Sequence, residues 1–354
     1  MFDDEYEPKS FDIQNNYLLN MLNENDNYQV NNNVIPSFPF IPEFLKIFEL
    51  KKQKYYEEKI MEKKYPEFLI KIYFPRQFEA LRTTFCATNE EFIESIRKSL
   101  EWKITGGKSN ANFWKTYDSK YVIKNISEME FNMFIDSALN YFKHISKYLF
   151  HQKTSALGKI LGAYNIKIKI QGEKEKNYYL VLMENIYYGM LSNINNFTFN
   201  CSESNIMVYD LKGSKINRYI QPKMKVQGKV LLDTNFLEDF NGEPLFFDFN
   251  VFQSLKEALN NDSFFLKDEG IIDYSLLIIF ENDNNKNKNE IKENNSFKII
   301  KLGIVDYLRK YTWDKQIESY SKKFINGFSN PTIINPESYR KRFMDKIQRY
   351  FVGI

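Results

Sequence analysis

Two aspartates sit inside the most apolar runs of this chain: Ile271-Ile272-Asp273-Tyr274-Ser275-Leu276-Leu277 and Leu302-Gly303-Ile304-Val305-Asp306-Tyr307. A carboxylate among residues that should be buried costs several kcal/mol unless it is paired or bound to a metal. The two runs read as strands of one hairpin. Between them lies Asn282 to Ser296, NDNNKNKNEIKENNS, with seven Asn among fifteen residues, which reads as an expanded tip. Loop closure grows only logarithmically with length, so a hairpin tolerates such a tip. One aspartate on each side of a hairpin can share a site. Taken singly, either would also serve to end a strand or cap a turn.

The remaining sequence narrows the chemistry. At 354 residues the chain is long for one domain and comfortable for two lobes. Hydrophobic residues make up 43% and aromatics 17%, enough for a core and too many for a mainly disordered chain. Lys plus Arg is 49 against 46 Asp plus Glu, a net of +3, which is not the signature of a generic nucleic-acid binder. Cys86, Cys201, His144 and His151 lack the spacing of a disulfide framework or a zinc site, and a reducing, intracellular compartment is expected. Neither histidine accompanies a nucleophile motif. No apolar stretch approaches the roughly 18 residues of a membrane span. The acidic start, MFDDEYEPKS, argues against a signal peptide. Any membrane contact is expected to be peripheral.

Residues 1 to about 35 are rich in Asn, Asp and Glu and read as a mobile tail; Pro36, Pro39 and Pro42 then stiffen the chain. Glu43 to Lys64 reads as a charged, solvated helix ending at Tyr65-Pro66. Phe78, Leu81 and Phe85 suit one helix, and Glu90 to Leu100 another, capped by Thr88 or Asn89. Trp102 to Ile123 reads as a hairpin about a glycine turn, and Glu128 to Leu149 as a long amphipathic helix. Leu157 to Ile170 and Tyr178 to Met183 read as strands separated by QGEKEKN. Ser192 to Asn205 reads as a second polar insert.

Three further constellations carry phosphate chemistry. Gly106-Gly107-Lys108-Ser109 contains a GKS string, but the P-loop's first glycine position is Trp102, and the following residues read as a returning strand. A glycine turn covering phosphates with backbone N–H groups fits better, and an ordinary hairpin turn is equally compatible. Lys124 ends the apolar strand Tyr121-Val122-Ile123-Lys124, echoing the nucleotide-anchoring lysine of kinases. Glu130, with Glu128 in reserve, is the candidate carboxylate to orient it; a lysine snorkelling at a strand end is the plainer alternative. Asp210-Leu211-Lys212-Gly213-Ser214 with Arg218 concentrates charge around a flexible glycine, suiting an anionic, phosphorylated substrate or a solvated basic loop. For the paired aspartates, phosphoryl transfer supplies the matching chemistry: one acid orients the hydroxyl, the other holds Mg²⁺ against nucleotide phosphates.

In this order, GGKSNANF, YVIK, DLKGS with Arg218, IIDYSLL and GIVDYLRKYTWDK resemble the phosphatidylinositol phosphate kinase family, from about Phe68 to Tyr350. TSALGKILGAYNI, LVLMENIYYG, TWDK and NPTIINPESYRKRF are similar to its phosphatidylinositol 3-phosphate 5-kinase (PIKfyve-type) class. The resemblance implies an α+β, two-lobed kinase-like fold with ATP between the lobes. A tail and charged helix over 1–65 would precede a catalytic domain over 66–354, its N-lobe about 66–185 and its C-lobe about 186–354. It implies that Gly107, Lys108 and Ser109 cover phosphates, that Lys124 binds them, and that Met183 lies at the interlobe connection. It makes Asp273 the catalytic aspartate, Lys212 the neighbour of the transferred phosphoryl, Arg218 a headgroup ligand and Asp306 the Mg²⁺ ligand. Lys322 and Lys323, in Ser321-Lys322-Lys323-Phe324-Ile325, combine charge with apolar residues and suit an anionic membrane. No HRD or DFG string is present, so an ordinary protein kinase fits less well.

The expected activity is phosphorylation of phosphatidylinositol 3-phosphate at the 5-position, on the cytosolic face of endosomal-type membranes, without nucleic acid. The segment between Gly189 and Asp210 is expanded, and QIESYSKKFINGFSN is short for a specificity loop. A phosphatidylinositol 4-phosphate 5-kinase, a weakly catalytic lipid-binding scaffold and a kinase of soluble inositol phosphates or proteins therefore stay open. The oligomeric state is not legible.

Overall fold

The computed structural model describes residues 27–30, 67–85, 88–102, 112–150, 153–170, 172–188, 206–225, 229–282, 297–311 and 334–354. Two compact units make up the chain. One takes in the chain up to Trp102, most of the stretch to Lys153, and Lys159–Glu184; the other includes Thr154–Gly158 and Asn185–Ile354.

The first unit is a seven-stranded antiparallel sheet in the order β1-β2-β6-β7-β5-β4-β3. Its strands are β1 Asn27–Val30, β2 Glu67–Tyr73, β3 Ser99–Glu101, β4 Phe113–Thr116, β5 Tyr121–Ile126, β6 Ile160–Lys169 and β7 Lys176–Glu184. The helices are α1 Pro75–Phe85, α2 Asn89–Arg97 and α3 Glu128–Phe150. Along α3, Phe131, Phe134, Ala138, Tyr141, Phe142 and Ile145 are buried, a spacing that repeats every three or four residues and forms one apolar stripe. Edge-to-face contacts join Phe142 to Phe74 and Phe78, with ring centroids 5.6 and 5.0 Å apart. Each such side chain contributes roughly 1.5–3 kcal/mol by burial. The buried Tyr141 hydroxyl accepts from the Ile160 N–H at 2.8 Å and donates to the Ile160 carbonyl, tying α3 to the start of β6.

Three expectations change in this unit. Residues 27–30, inside the stretch read as a mobile tail, pair with β2 in the register Asn27↔Tyr73 to Val30↔Ile70. Tyr28 and Val30 alternate with polar residues, a strand pattern that the surrounding Asn obscures. The second helix keeps its Thr88 cap, whose hydroxyl accepts from the Glu91 N–H at 3.3 Å, but stops at Arg97. Ser99–Glu101 instead pairs with β4 as an edge strand, Leu100 facing Lys115. The strand read from Leu157 begins only at Ile160, because Thr154–Gly158 belongs to the other unit. The rest of 1–65, the charged helix included, and Ser192 to Asn205 lie outside the described residues.

The second unit has a four-stranded sheet, β12-β11-β8-β9, and a two-stranded parallel pair, β10-β13. These strands are β8 Ile206–Leu211, β9 Leu231–Leu232, β10 Leu245–Phe247, β11 Ser275–Asn282, β12 Phe297–Val305 and β13 Phe351–Gly353. The helices are α4 Asp233–Asp239, α5 Phe249–Asp268 and α6 Pro336–Tyr350. β11 and β12 form the expected antiparallel hairpin, from Ser275↔Val305 to Asn282↔Phe297. The ladder thus includes Asn282, which the composition had assigned to the polar tip. Ser275 to Phe280 are all buried, as a strand between two neighbours should be. Phe280 packs with Tyr209, Phe236 and Phe240, forming an aromatic core under α4.

Candidate active site

The two aspartates are not within the strands. Asp273 lies two residues before β11 and Asp306 directly after β12, at the end of the ladder set by Ser275↔Val305. Pairing resumes beyond them. The Ile272 N–H donates to the Arg309 carbonyl at 3.0 Å, the Tyr311 N–H donates to the Gly270 carbonyl at 2.8 Å, and Ile271 bridges Lys310. Asp273 and Asp306 therefore occupy a break between two paired stretches. Both adopt left-handed backbone conformations, with φ of +68° and +60°. Asp tolerates this region better than most residues, and such positions concentrate at functional sites. The burial cost that singled these residues out is avoided: the Asp273 side chain is 29% exposed, and Asp306 is exposed.

Asp273 faces two cations. Lys212 Nζ lies 3.9 Å from its Oδ1, and Arg309 Nη1 donates to its Oδ2 at 3.3 Å. Lys212 and Asp273, assigned on separate motifs, are thus brought together. Arg309 was missed; its signal was the basic pair Arg309-Lys310 just beyond the second aspartate. Behind Asp273, the Tyr339 hydroxyl of α6 donates to the Tyr274 carbonyl, and both rings are fully buried at 4.8 Å centroid separation.

The loop carrying Lys212 is built around a carboxylate absent from the sequence reading. Asp233, the first residue of α4, is fully buried. It accepts from the backbone N–H groups of Lys212 at 3.1 Å, Gly213 at 2.8 Å and Ser214 at 3.3 Å. It also accepts from Arg218 Nε at 2.7 Å. Gly213 has φ +68°, and a Cβ there would lie 3.0 Å from the Arg342 carbonyl oxygen and 3.2 Å from Phe343 Cα of α6. Only glycine lets this turn lie against α6.

Arg218, expected to hold the headgroup, is bound to the carboxylates of Asp210 and Asp233. Its guanidinium donates to Asp233, to the Asp210 carboxylate and to the Asp210 carbonyl. Burial pulls its pKa down, but Asp210 and Asp233 more than offset that, so the net shift is upward. Arg218 therefore braces the Asp210–Ser214 loop.

Lys124, Glu130 and Met183 lie in the first unit. Lys124 pairs with Phe113 on one side and Val181 on the other, and its ammonium sits 5.4 Å from the Phe113 ring centroid. Met183 is half-buried on the neighbouring β7, paired with Val122. Glu130 Oε2 accepts from the Ser127 N–H at 3.1 Å and hydroxyl at 2.8 Å, while Ser127 Oγ accepts from the Glu130 N–H. This is a capping box at the start of α3, spelled out by the Ser127-x-x-Glu130 spacing. Burial and the neighbouring Glu128, held in reserve, push the Tyr179 hydroxyl pKa up. Gly107, Lys108, Ser109, Lys322 and Lys323 lie outside the described residues.

The donor chemistry at Asp306 suits Mg²⁺. An exposed carboxylate offers a hard oxygen ligand, and Mg²⁺ is commonly held through one or two carboxylates plus water and substrate phosphates. Among the described residues, no group of three or more His, Cys, Asp and Glu side chains gathers as a self-sufficient metal cage.

The fold and this constellation place the chain in the α+β kinase-like class. Residues 95–299 and 281–350 match the family described as Phosphatidylinositol-4-phosphate 5-Kinase. The 1-phosphatidylinositol 3-phosphate 5-kinase FAB1 of Saccharomyces cerevisiae is 31% identical over 291 residues, covering 80% of this chain and 12% of its own. The FAB1A protein of Arabidopsis thaliana, a 1-phosphatidylinositol-3-phosphate 5-kinase, is 33% identical over 293 residues, covering 81% and 15%. The Homo sapiens 1-phosphatidylinositol 3-phosphate 5-kinase is 33% identical over 295 residues, covering 81% and 13%. The chain belongs to the phosphatidylinositol-4-phosphate 5-kinase family. It spans less than a fifth of the length of these curated relatives.

Proposed function

We propose that this chain transfers the γ-phosphoryl group of ATP to the 5-hydroxyl of phosphatidylinositol 3-phosphate. The observation that carries the chemistry is Asp273, held between Lys212 and Arg309 at the break in the β11–β12 ladder. The relatives' names support the substrate and position.

In this reading Asp273 accepts a hydrogen bond from the attacking hydroxyl, orients its oxygen and receives its proton. Arg309 and Lys212 hold the carboxylate. Lys212, at the end of its clamped loop, also neutralises negative charge on the transferred phosphoryl. Lys124 anchors the nucleotide phosphates and Met183 contacts the base. Gly107, Lys108 and Ser109 cover the phosphates with backbone N–H groups. Asp306 would hold Mg²⁺, which when bound neutralises the nucleotide's phosphate oxygens. Arg218 serves headgroup binding through the loop it braces.

Acyl chains keep the substrate in a bilayer. No described helix is long and apolar enough to cross a membrane. We therefore assign docking to peripheral contact, with Lys322 and Lys323 meeting an anionic, endosomal-type surface. Each basic residue near such a surface contributes about 1 kcal/mol.

The test is a vesicle assay with labelled ATP. It compares phosphatidylinositol 3-phosphate, phosphatidylinositol 4-phosphate and soluble inositol phosphates, with chromatography of the product headgroup. A 3,5-bisphosphate product is expected. Product from the 4-phosphate lipid alone would overturn the substrate assignment and leave the lipid-kinase assignment standing. Preference for soluble headgroups would overturn both. Lys322→Glu combined with Lys323→Glu should cut activity on vesicles far more than basal ATP hydrolysis; equal vesicle activity would remove the docking role.

A further inference from the structure

Thr154–Gly158 precedes β6 in the chain but belongs to the second unit. Its bonds there fall on both sides of Asp306. The Ile304 N–H donates to the Ala156 carbonyl, and the Gly158 N–H donates to the Ile304 carbonyl at 2.9 Å, giving a parallel bridge between Leu157 and Ile304. The Tyr307 hydroxyl donates to the Gly158 carbonyl. Ile304 lies two residues before Asp306, and Tyr307 directly after it.

The segment has its own anchor. Asp262, on α5, is fully buried. It accepts from the Ser155 hydroxyl at 3.1 Å to each carboxylate oxygen and from the Ala156 N–H at 2.6 Å. Ser155 Oγ in turn accepts from the Leu157 N–H at 3.2 Å. A fully buried carboxylate is costly to keep unless its hydrogen bonds are made. Here they go to a short connecting segment. A left-handed non-glycine residue such as Asp306 persists only where its surroundings over-determine it. Thr154–Gly158 supplies that constraint on both sides of it, at Ile304 and Tyr307.

We propose that Asp262 is a positioning residue for Asp306, acting through Ser155–Gly158 to hold the carboxylate where it can bind the metal. This rests on the assignment of Asp306 as the Mg²⁺ ligand. Residues that orient a metal ligand typically change metal affinity or activity by roughly 10- to 100-fold when removed.

The test is equilibrium binding of manganese(II) with ATP, read by electron paramagnetic resonance on the full chain. It uses wild type, Asp262→Asn, Ser155→Ala and Asp306→Asn, with thermal melting on each. Asp306→Asn should show the greatest loss of manganese binding. Asp262→Asn should weaken it on the order of 10-fold, and Ser155→Ala less. Metal-free ATP binding should stay at the wild-type level in Asp262→Asn and Ser155→Ala, a split that a general loss of stability would not produce. Wild-type manganese binding by folded Asp262→Asn, with Asp306→Asn impaired, overturns the positioning role alone. Wild-type binding by Asp306→Asn overturns the metal assignment and the inference with it. If Asp262→Asn does not fold, Ser155→Ala decides: unchanged manganese binding there overturns the role.

Discussion

At the scale of single residues, the site depends on backbone conformations as much as on charge. Asp273 and Asp306 both sit at positive φ, at the same end of one hairpin, before β11 and after β12. Their presence in apolar runs was legible from composition, and so was their shared location. Their left-handed geometry and the break in the ladder were not. Periodicity describes side chains that alternate along a strand and says nothing of where pairing stops. Lys124 belongs to the same scale. It is the fourth of six residues in β5, and its contact with the Phe113 ring is worth about 0.5–1 kcal/mol. Lys124→Met should therefore leave the melting temperature close to wild type while turnover nearly disappears. A folded Lys124→Met protein with wild-type turnover would remove Lys124 from the nucleotide site.

Elements place these residues, and here the sequence was unevenly informative. The β11–β12 hairpin and α3 were readable because their apolar patterns are long and regular. Ser99 and Leu100 fall within the helix expected over Glu90 to Leu100 because a three-residue strand carries too little periodicity to separate it from a final turn. The edge strand at 27–30 was hidden for a similar reason. Asp233 escaped notice because it lies 19 to 21 residues beyond the loop it organises, and nothing local marks that distant partnership. Its environment gives a prediction. Asp233→Asn replaces an acceptor-only group, met by three backbone N–H groups and a guanidinium, with an amide that must turn donors toward donors. Breaking a buried pair of this kind costs about 3–5 kcal/mol. Chemical denaturation should register a loss of that order, with turnover falling as the Lys212 loop loosens. Wild-type stability in Asp233→Asn would show that the loop is held by other contacts.

At the scale of the whole molecule, buried tyrosines give stability an alkaline limit. Burial pushes the Tyr209 hydroxyl up, reinforced by Asp239. Burial does the same to Tyr339, and to Tyr274 against the opposing pull of Arg340 and Arg342. The folded state therefore keeps protons that the unfolded chain releases near pH 10. The stabilisation is fully present below that value and is lost as pH rises above it toward the folded-state values. The denaturation midpoint should hold from neutral pH to about pH 9 and fall by about pH 11; a midpoint that rises over that interval would contradict the placement of these tyrosines. The proposed phosphoryl transfer takes place at the ladder break. Asp273→Asn tests it most directly, because it keeps the volume and removes the charge that Lys212 and Arg309 face. The measurement is kcat on phosphatidylinositol 3-phosphate vesicles, with ATP affinity determined on the same preparation. A fall of roughly 100-fold or more in kcat with ATP affinity retained is predicted. Wild-type kcat from folded Asp273→Asn would contradict it.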